Sequence, residues 1–515
     1  MALESLPTEL ILLVFQQIAD TEALQATART CKKFQQVVEI CLYSHVLCTR
    51  RASANRLLEL CRADPRRATY VHDLQLVYST RHHDFQNTAP VDLCFFPCLN
   101  SFVSESPFCN SHARIGAKSE SVWQADMQAY LRAFEQASLL SSIPSCAKPL
   151  GFLKSVILHW TGSISSRFWR TTPLCPIFLL PELQSLTVSC VKIRVEDEDR
   201  DISQFAKSTK LESLSFVESV VSPRALEQIL SYPTALKRLT LHEVTHHATD
   251  TLSYDFLRDD VETSHEALEL QAESLEEFDF SGHHDPRGMM SSRPLTAFNL
   301  ANFRSLSYLK LNWSVRLDQP PPNLRTLVLQ DLSPLTFRGG AENVLARLPK
   351  LTECLKSASR RQEGFQVDLR LYRIPLHFFG HHRRYDVADG DHQPLRRVFE
   401  ELRHKMIDRY TLEEHPGEDL ADIPEDTSPV SAGPPATERE TWENVPVRLR
   451  ILTSKHRNFI PPYLHGEKSH RWVVRYDSDY LDIPPYFENS GNPEGDDSSE
   501  DEDMQEAFRL DSAMF

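Results

Sequence analysis

At 515 residues, 41% hydrophobic and 25% charged, the chain has the composition of a folded protein with room for about two to four domains or one elongated array. Its formal net charge of −16 argues against a dedicated nucleic-acid binder, which would carry a basic footprint. Thirty-two prolines stand beside only fifteen glycines, and neither a GxGxxG nor a GxxxxGKS/T phosphate loop occurs.

The chain opens MALESLPTELILLVF, and its apolar run from Leu10 to Phe15 follows Glu4 and Glu9. A secretory signal would place basic residues there, and a membrane span would need roughly 18–20 apolar residues. Pro7 suits the first turn of a helix, where its missing N–H costs nothing, and Glu9 complements the positive helix end. Pro7, Ile11, Val14, Phe15 and Ile18 fall at helical spacing as an inward stripe. Leu10, Leu12 and Leu13 lie partly off it, so the helix is apolar nearly all round. A second helix is expected over 22–29, capped by Asp20 or Thr21, with Leu24 and Ala28 on one side. A third, capped by Thr30, turns Phe34, Val37, Val38 and Cys41 inward. Three helices in so short a segment cannot bury all this surface alone. They read either as a cap on a larger core or as a bundle whose first helix is sandwiched against a partner.

The string LPTELILLVFQQIADTEALQATARTCKKFQQVV resembles an F-box. Leu6, Pro7, Glu9 and Leu10 match the start of that family's pattern, Phe15 and Ile18 its first helix, Leu24 its middle position, and Cys31, Lys32 and Phe34 its third helix. Thr27 and Ala28 depart from it, standing where bulkier apolar residues are common. The resemblance covers about residues 3–48. It implies docking on the Skp adaptor of SCF-type ubiquitin ligases and, through it, association with cullin and RING subunits. Leu6, Pro7, Glu9, Leu10, Phe15, Leu24, Lys32 and Phe34 are the implied adaptor-binding residues. Some of them could instead be internal to the bundle.

Beyond the opening, one string recurs: apolar, two residues, apolar, one residue, apolar. It occurs as Val71/Leu74/Leu76, Leu153/Val156/Leu158, Leu183/Leu186/Val188, Leu211/Leu214/Phe216, Leu236/Leu239/Leu241, Leu275/Phe278/Phe280, Leu306/Leu309/Leu311 and Leu324/Leu327/Leu329. Each suits a short strand with alternate residues pointing into a stack. Helix signals lie between them. Ser222 and Pro223 open a helix with Leu226, Ile229 and Leu230 inward, ended at Tyr232 and Pro233; Trp123, Tyr130, Leu131 and Phe134 mark another. Helix plus strand at such intervals resembles a leucine-rich repeat array, in which each unit buries its face on its neighbours. That repeat's turn-bonding Asn or Cys is missing: Val191, Ser219, Val244, His283, Ser314 and Leu332 stand there instead. The expected fold is therefore α/β, a small three-helix F-box followed by an irregular, leucine-rich-repeat-like solenoid.

In the C-terminal third, residues 393–410 read as an amphipathic capping helix and residues 411–441 as an acidic, proline-containing linker. The segment 447–451 alternates like a strand, with 471–476 as its partner. Residues 488–503 carry eight acidic and no basic residues, a solvated, disordered tail in which Ser498 and Ser499 resemble sites for an acid-directed kinase. The expected division is 1–48 F-box, 49–355 solenoid, 356–410 cap, 411–445 linker, 446–487 strand-containing element and 488–515 tail.

No catalytic constellation emerges. The pairs His82/His83, His246/His247, His283/His284 and His381/His382 lack ligand spacing, and Pro97 makes a shared helix face for Cys94 and Cys98 doubtful. Glu196–Asp199 reads as a hydrated loop. The eleven cysteines form no CxxC pair, which suits reduced thiols in the cytosol or nucleus. The sequence thus points to a non-catalytic adaptor without metal or cofactor, bound to the Skp adaptor and to a target protein, with no membrane partner. An F-box protein working outside ubiquitin transfer and a plain repeat scaffold are the alternatives.

Overall fold

Pro7 opens the first helix, α1 (Thr8–Phe15), and its carbonyl accepts the N–H groups of Leu10 and Ile11, both at 3.1 Å. The structure, a computed structural model, describes residues 5–18, 20–77, 90–108, 117–142, 148–161, 168–195, 203–243, 257, 260–282, 297–312, 316–330, 365–371, 447–454 and 472–477. These divide into two compact units, the first running to Gln271 and also holding 281–282, the second holding the rest from Ala272 onward. The fold is mixed α/β, a helical N-terminal bundle followed by parallel strands.

In the first unit α1 is followed by α2 (Thr21–Ala28), whose Asp20 cap accepts from the Glu22 N–H, and by α3 (Lys32–Ser44). Cys31, rather than Thr30, caps α3: its Sγ accepts from the Phe34 N–H at 3.5 Å. Thr30 turns its hydroxyl back to the Thr27 carbonyl instead. Ser44 passes directly into β1 (His45–Cys48), so the helical bundle ends at Ser44 and the next four residues belong to the sheet.

After β1 come α4 (Arg51–Ala63) and α5 (Pro65–Tyr70), then β2 (Asp73–Val77) and β3 (Ser101–Glu105). The long α6 (Ala117–Ala137) leads to β4 (Ser155–His159) and β5 (Trp169–Thr171). Next follow β6 (Ser185–Ser189), β7 (Val191–Ile193), β8 (Ser213–Val217), β9 (Val220–Val221), α7 (Pro223–Ser231), β10 (Arg238–His242) and α8 (Val261–Glu269). Strands β1, β2, β3, β4, β6, β8 and β10 pair in that order, all parallel.

Alternation fixes the register. Val46, Leu74, Phe102, Val156, Leu186, Leu214 and Leu239 form one buried row across the sheet, and Cys48, Leu76, Ser104, Leu158, Val188, Phe216 and Leu241 form the next. A slip of one residue would carry every one of these side chains to the opposite face. β5, β7 and β9 make a separate parallel sheet.

All eight apolar triplets read from the sequence are buried, their last two residues lying on strands. β1 and β3 carry no full triplet. In β3 the third place holds Ser104, fully buried and accepting the Trp160 Nε1–H at 3.0 Å. The turn position without Asn or Cys is served in one case by Ser219, whose hydroxyl accepts from the Val191 N–H (3.3 Å) and donates to the Val217 carbonyl (2.9 Å). The helix expected after Ser222 is α7, with Ala225, Leu226, Ile229 and Leu230 buried. Buried Gln271 holds the turn behind it, donating to the Leu230 and Pro233 carbonyls and accepting from the Leu236 N–H.

The second unit continues the pattern with β11 (Glu277–Ser281), β12 (Ala297–Asn299), β13 (Tyr308–Asn312), β14 (Arg316–Gln319), β15 (Thr326–Gln330), β16 (Phe365–Leu371), β17 (Val447–Ser454) and β18 (Trp472–Asp477). β11, β13, β15, β16 and β17 are parallel neighbours, and β12 pairs with β14. Phe298 sits edge-on to Phe278 and Phe280 at 5.6 and 5.0 Å. The strand expected at 447–451 is β17, and its expected partner is β18, antiparallel to it. The capping helix at 393–410, the linker, the acidic tail with Ser498 and Ser499, the four histidine pairs and Glu196–Asp199 lie outside the described residues.

Candidate functional site

The N-terminal bundle has one side committed to its own core. Ile11, Phe15, Leu24, Phe34, Val37 and Val38 are buried together, with Leu6, Leu12, Ile18, Ala28, Cys31, Cys41 and Leu42 packed around them. Phe15 meets Phe34 edge to face, ring centroids 5.3 Å apart at 87°. The Lys33 ammonium donates to the Leu6 carbonyl at 2.7 Å, pinning the residue before Pro7 onto α3. Thr27, one of the departures from the family pattern, uses its hydroxyl on the Ala23 carbonyl at 2.7 Å.

The opposite side of α1 is open. Leu10, Leu13 and Val14 are 47%, 57% and 44% exposed, and their i, i+3, i+4 spacing sets them in one ridge along the helix. Scattered exposed leucines need no explanation, but here three apolar side chains are exposed side by side on one short helix. Val14 belongs to this ridge and not to the inward stripe. Ile11 and Phe15, four apart, take the two inward places and rotate Val14 out.

The candidate adaptor-binding residues therefore sort into two groups. Pro7, Glu9, Leu10 and Lys32 are exposed, and Leu6 is half-buried beside them. Phe15, Leu24 and Phe34 are buried in the bundle's own core. Leu13 and Val14, which the sequence reading did not name as docking residues, complete the exposed ridge. Their signal was the same periodicity, read from Leu10 instead of from Ile11.

Residues 3–49 match the F-box-like family model. The N-terminal bundle is an F-box-like domain. Comparison with curated proteins finds no match to the chain.

The F-box-like domain is joined to the sheet without a spacer. Besides the Ser44–His45 junction, the Ser44 carbonyl accepts the His72 N–H at 3.1 Å, and Glu39 of α3 pairs with Arg67 of α5 at 3.0 Å. His45 pairs with Asp73 across the two first strands. Arg67 also lies over the Tyr43 ring, 5.6 Å from its centroid.

Among the described residues no group of three His, Cys, Asp or Glu side chains could hold a metal ion, and no helix is long and apolar enough to cross a membrane. Cys94 and Cys98 share no helix; Cys94 sits in a short turn (Leu93–Phe95), where burial and the neighbouring Asp92 push its thiol up to about 11. Such a thiol is protonated and inert near neutral pH.

Burial pushes His159, at the end of β4, down to about 3 from an ordinary 6.5. Below pH 6.5 the unfolded chain takes up a proton that the folded chain refuses, so stability falls as pH drops from 6.5 toward 3. Between pH 7.5 and 4.5 this group alone is expected to remove about 2–3 kcal/mol. Urea unfolding followed by tryptophan fluorescence should show that His159→Gln loses less stability than the parent over this range. Parallel losses in the two proteins would refute the assignment.

Proposed function

We propose that this chain is the substrate-recognition adaptor of an SCF-type ubiquitin ligase. The observation that carries the reading is the exposed Leu10/Leu13/Val14 ridge on a bundle whose residues match the F-box-like family. F-box domains generally bind the Skp adaptor, and through it this chain would meet cullin and RING subunits. Leu10 and Leu13 are the central apolar anchors, with Leu6, Pro7, Glu9 and Lys32 at their rim.

The region after the bundle is read as an irregular, leucine-rich-repeat-like solenoid that holds a target protein. In support stand the eight buried triplets and the parallel pairing of successive strands within each unit. The chain itself would be non-catalytic, working in the cytosol or nucleus. Its contribution is positional: holding a target beside a loaded conjugating enzyme raises the effective concentration of the two reactants and makes transfer nearly intramolecular. Phosphorylation of Ser498 and Ser499 in the acidic tail belongs to the same proposal as a modification that would add about −1.5 to −2 charge at each site.

The test is reconstitution. The chain, captured from cells with its bound proteins, is combined with Skp, cullin and RING subunits, conjugating enzyme and ubiquitin. Ubiquitin appearing on a co-captured protein, and lost with Leu10→Asp/Leu13→Asp, is the expected result. Full adaptor assembly with no ubiquitin on any co-captured protein would move the reading to an F-box protein working outside ubiquitin transfer.

A further inference from the structure

β1 is a weak joint. It has four residues and pairs with one neighbour, β2, yet α3 of the F-box-like domain hangs directly from its start. A short strand held along one edge does not by itself fix the angle of the domain it carries. Besides the Ser44–His72 and His45–Asp73 contacts, two side-chain pairs flank it. On the bundle side Glu39 meets Arg67, both about one-fifth exposed. On the other side Arg51, the first residue of α4, reaches Asp126 on α6 through a bidentate pair, Nη1 to Oδ2 at 2.6 Å and Nη2 to Oδ1 at 2.8 Å, with side chains 4% and 2% exposed.

α6 is itself anchored to the sheet. Tyr130 and Phe134 meet Phe102 of β3 edge to face at 5.3 and 6.3 Å, and Trp123 packs edge-on to Trp160 at 6.0 Å. The Arg51–Asp126 pair therefore connects the segment immediately after β1 to the body of β3 and β4, across 75 residues of sequence. Stability alone is a poor explanation for it. Apolar residues of similar volume serve a buried site at least as well as an ion pair, whereas a bidentate fork imposes one relative orientation on the two helices.

The geometry points to Arg51 and Asp126 as a positioning pair that fixes the angle of the F-box-like domain on the parallel sheet of the first unit. The consequence for ubiquitin transfer rests on the adaptor reading above: the pair would set the separation between what docks on α1 and what the sheet holds. The pair does not touch the docking ridge.

The test uses the full chain, with spin labels on ketone-bearing unnatural residues introduced at Arg29, in the bundle, and Gln184, before β6, both exposed. Pulsed dipolar spectroscopy reads the distance distribution between them. The parent should give a single narrow distribution. Arg51→Met/Asp126→Leu, which keeps the site apolar and filled, should retain its circular dichroism and thermal midpoint but broaden the distribution roughly twofold as the domain samples a hinge. A folded double variant with a distribution as narrow as the parent's would overturn the proposal. Should the double variant fail to fold, Arg51→Lys decides instead: it keeps the charge but loses the fork, so broadening supports the positioning role and an unchanged width overturns it.

The distance measurement requires no adaptor, so its outcome is independent of whether α1 docks. Adaptor affinity of the double variant should stay within about twofold of the parent, because the sites are separate. Where the parent binds no adaptor, the docking reading falls and the positioning result stands.

Discussion

Asp126→Ala is expected to destabilise the first unit by about 3–5 kcal/mol, because it leaves the Arg51 guanidinium buried with its carboxylate removed. The cost comes from the buried charge that loses its carboxylate and not from the worth of the pair. Hence Arg51→Met/Asp126→Leu should recover most of it, and urea midpoints of the single and double variants measure the difference. Equal destabilisation by the two would show that loss of the pair itself, and not the charge left on Arg51, sets the cost. Burial raises the Asp126 carboxyl, and the bidentate Arg51 guanidinium pulls it back down.

Phe15→Ala should cost about 3–5 kcal/mol in the F-box-like domain, since it removes a buried ring and the edge-to-face contact with Phe34. Leu13→Asp, two residues earlier, changes a side chain that is 57% exposed and should leave stability within about 0.5 kcal/mol. Truncating an anchor at the centre of an interface costs about 2 kcal/mol or more of binding, so Leu13→Asp should weaken adaptor capture at least about thirtyfold while the bundle stays folded. Phe15→Ala should lose capture together with its helical circular dichroism. Loss of helicity with Leu13→Asp would place Leu13 in the core and remove the ridge as a docking surface.

How far the sequence foretold these features depends on the distance over which each signal acts. The strand positions were legible because Leu186 and Val188, Leu214 and Phe216, and Leu239 and Leu241 repeat a two-residue alternation that burial of one sheet face enforces. β3 escaped the same pattern because Ser104 occupies a core place, made tolerable by the Trp160 hydrogen bond, and polar residues satisfied at long range leave no local mark.

In α1, spacing alone allowed either Val14 or Phe15 to face inward after Ile11. The ring of Phe34, nineteen positions beyond Phe15, decides the matter. The same core holds Leu24, so several family-matching positions are core positions of the bundle. The Thr30 hydroxyl looked like the better cap, yet backbone geometry placed Cys31 at that position. Arg51 and Asp126 could not be paired from the sequence at all, for nothing in the intervening chain announces that α4 and α6 meet.

The most direct test of the docking claim is the equilibrium affinity of the purified full chain for the purified Skp adaptor, measured by titration calorimetry beside Leu10→Asp/Leu13→Asp. Circular dichroism must first show both proteins equally helical. Saturable one-to-one binding by the parent, lost in the folded variant, is the predicted result. Absence of binding by the folded parent, or equal binding by both proteins, would contradict the assignment of the α1 ridge as the adaptor-docking surface.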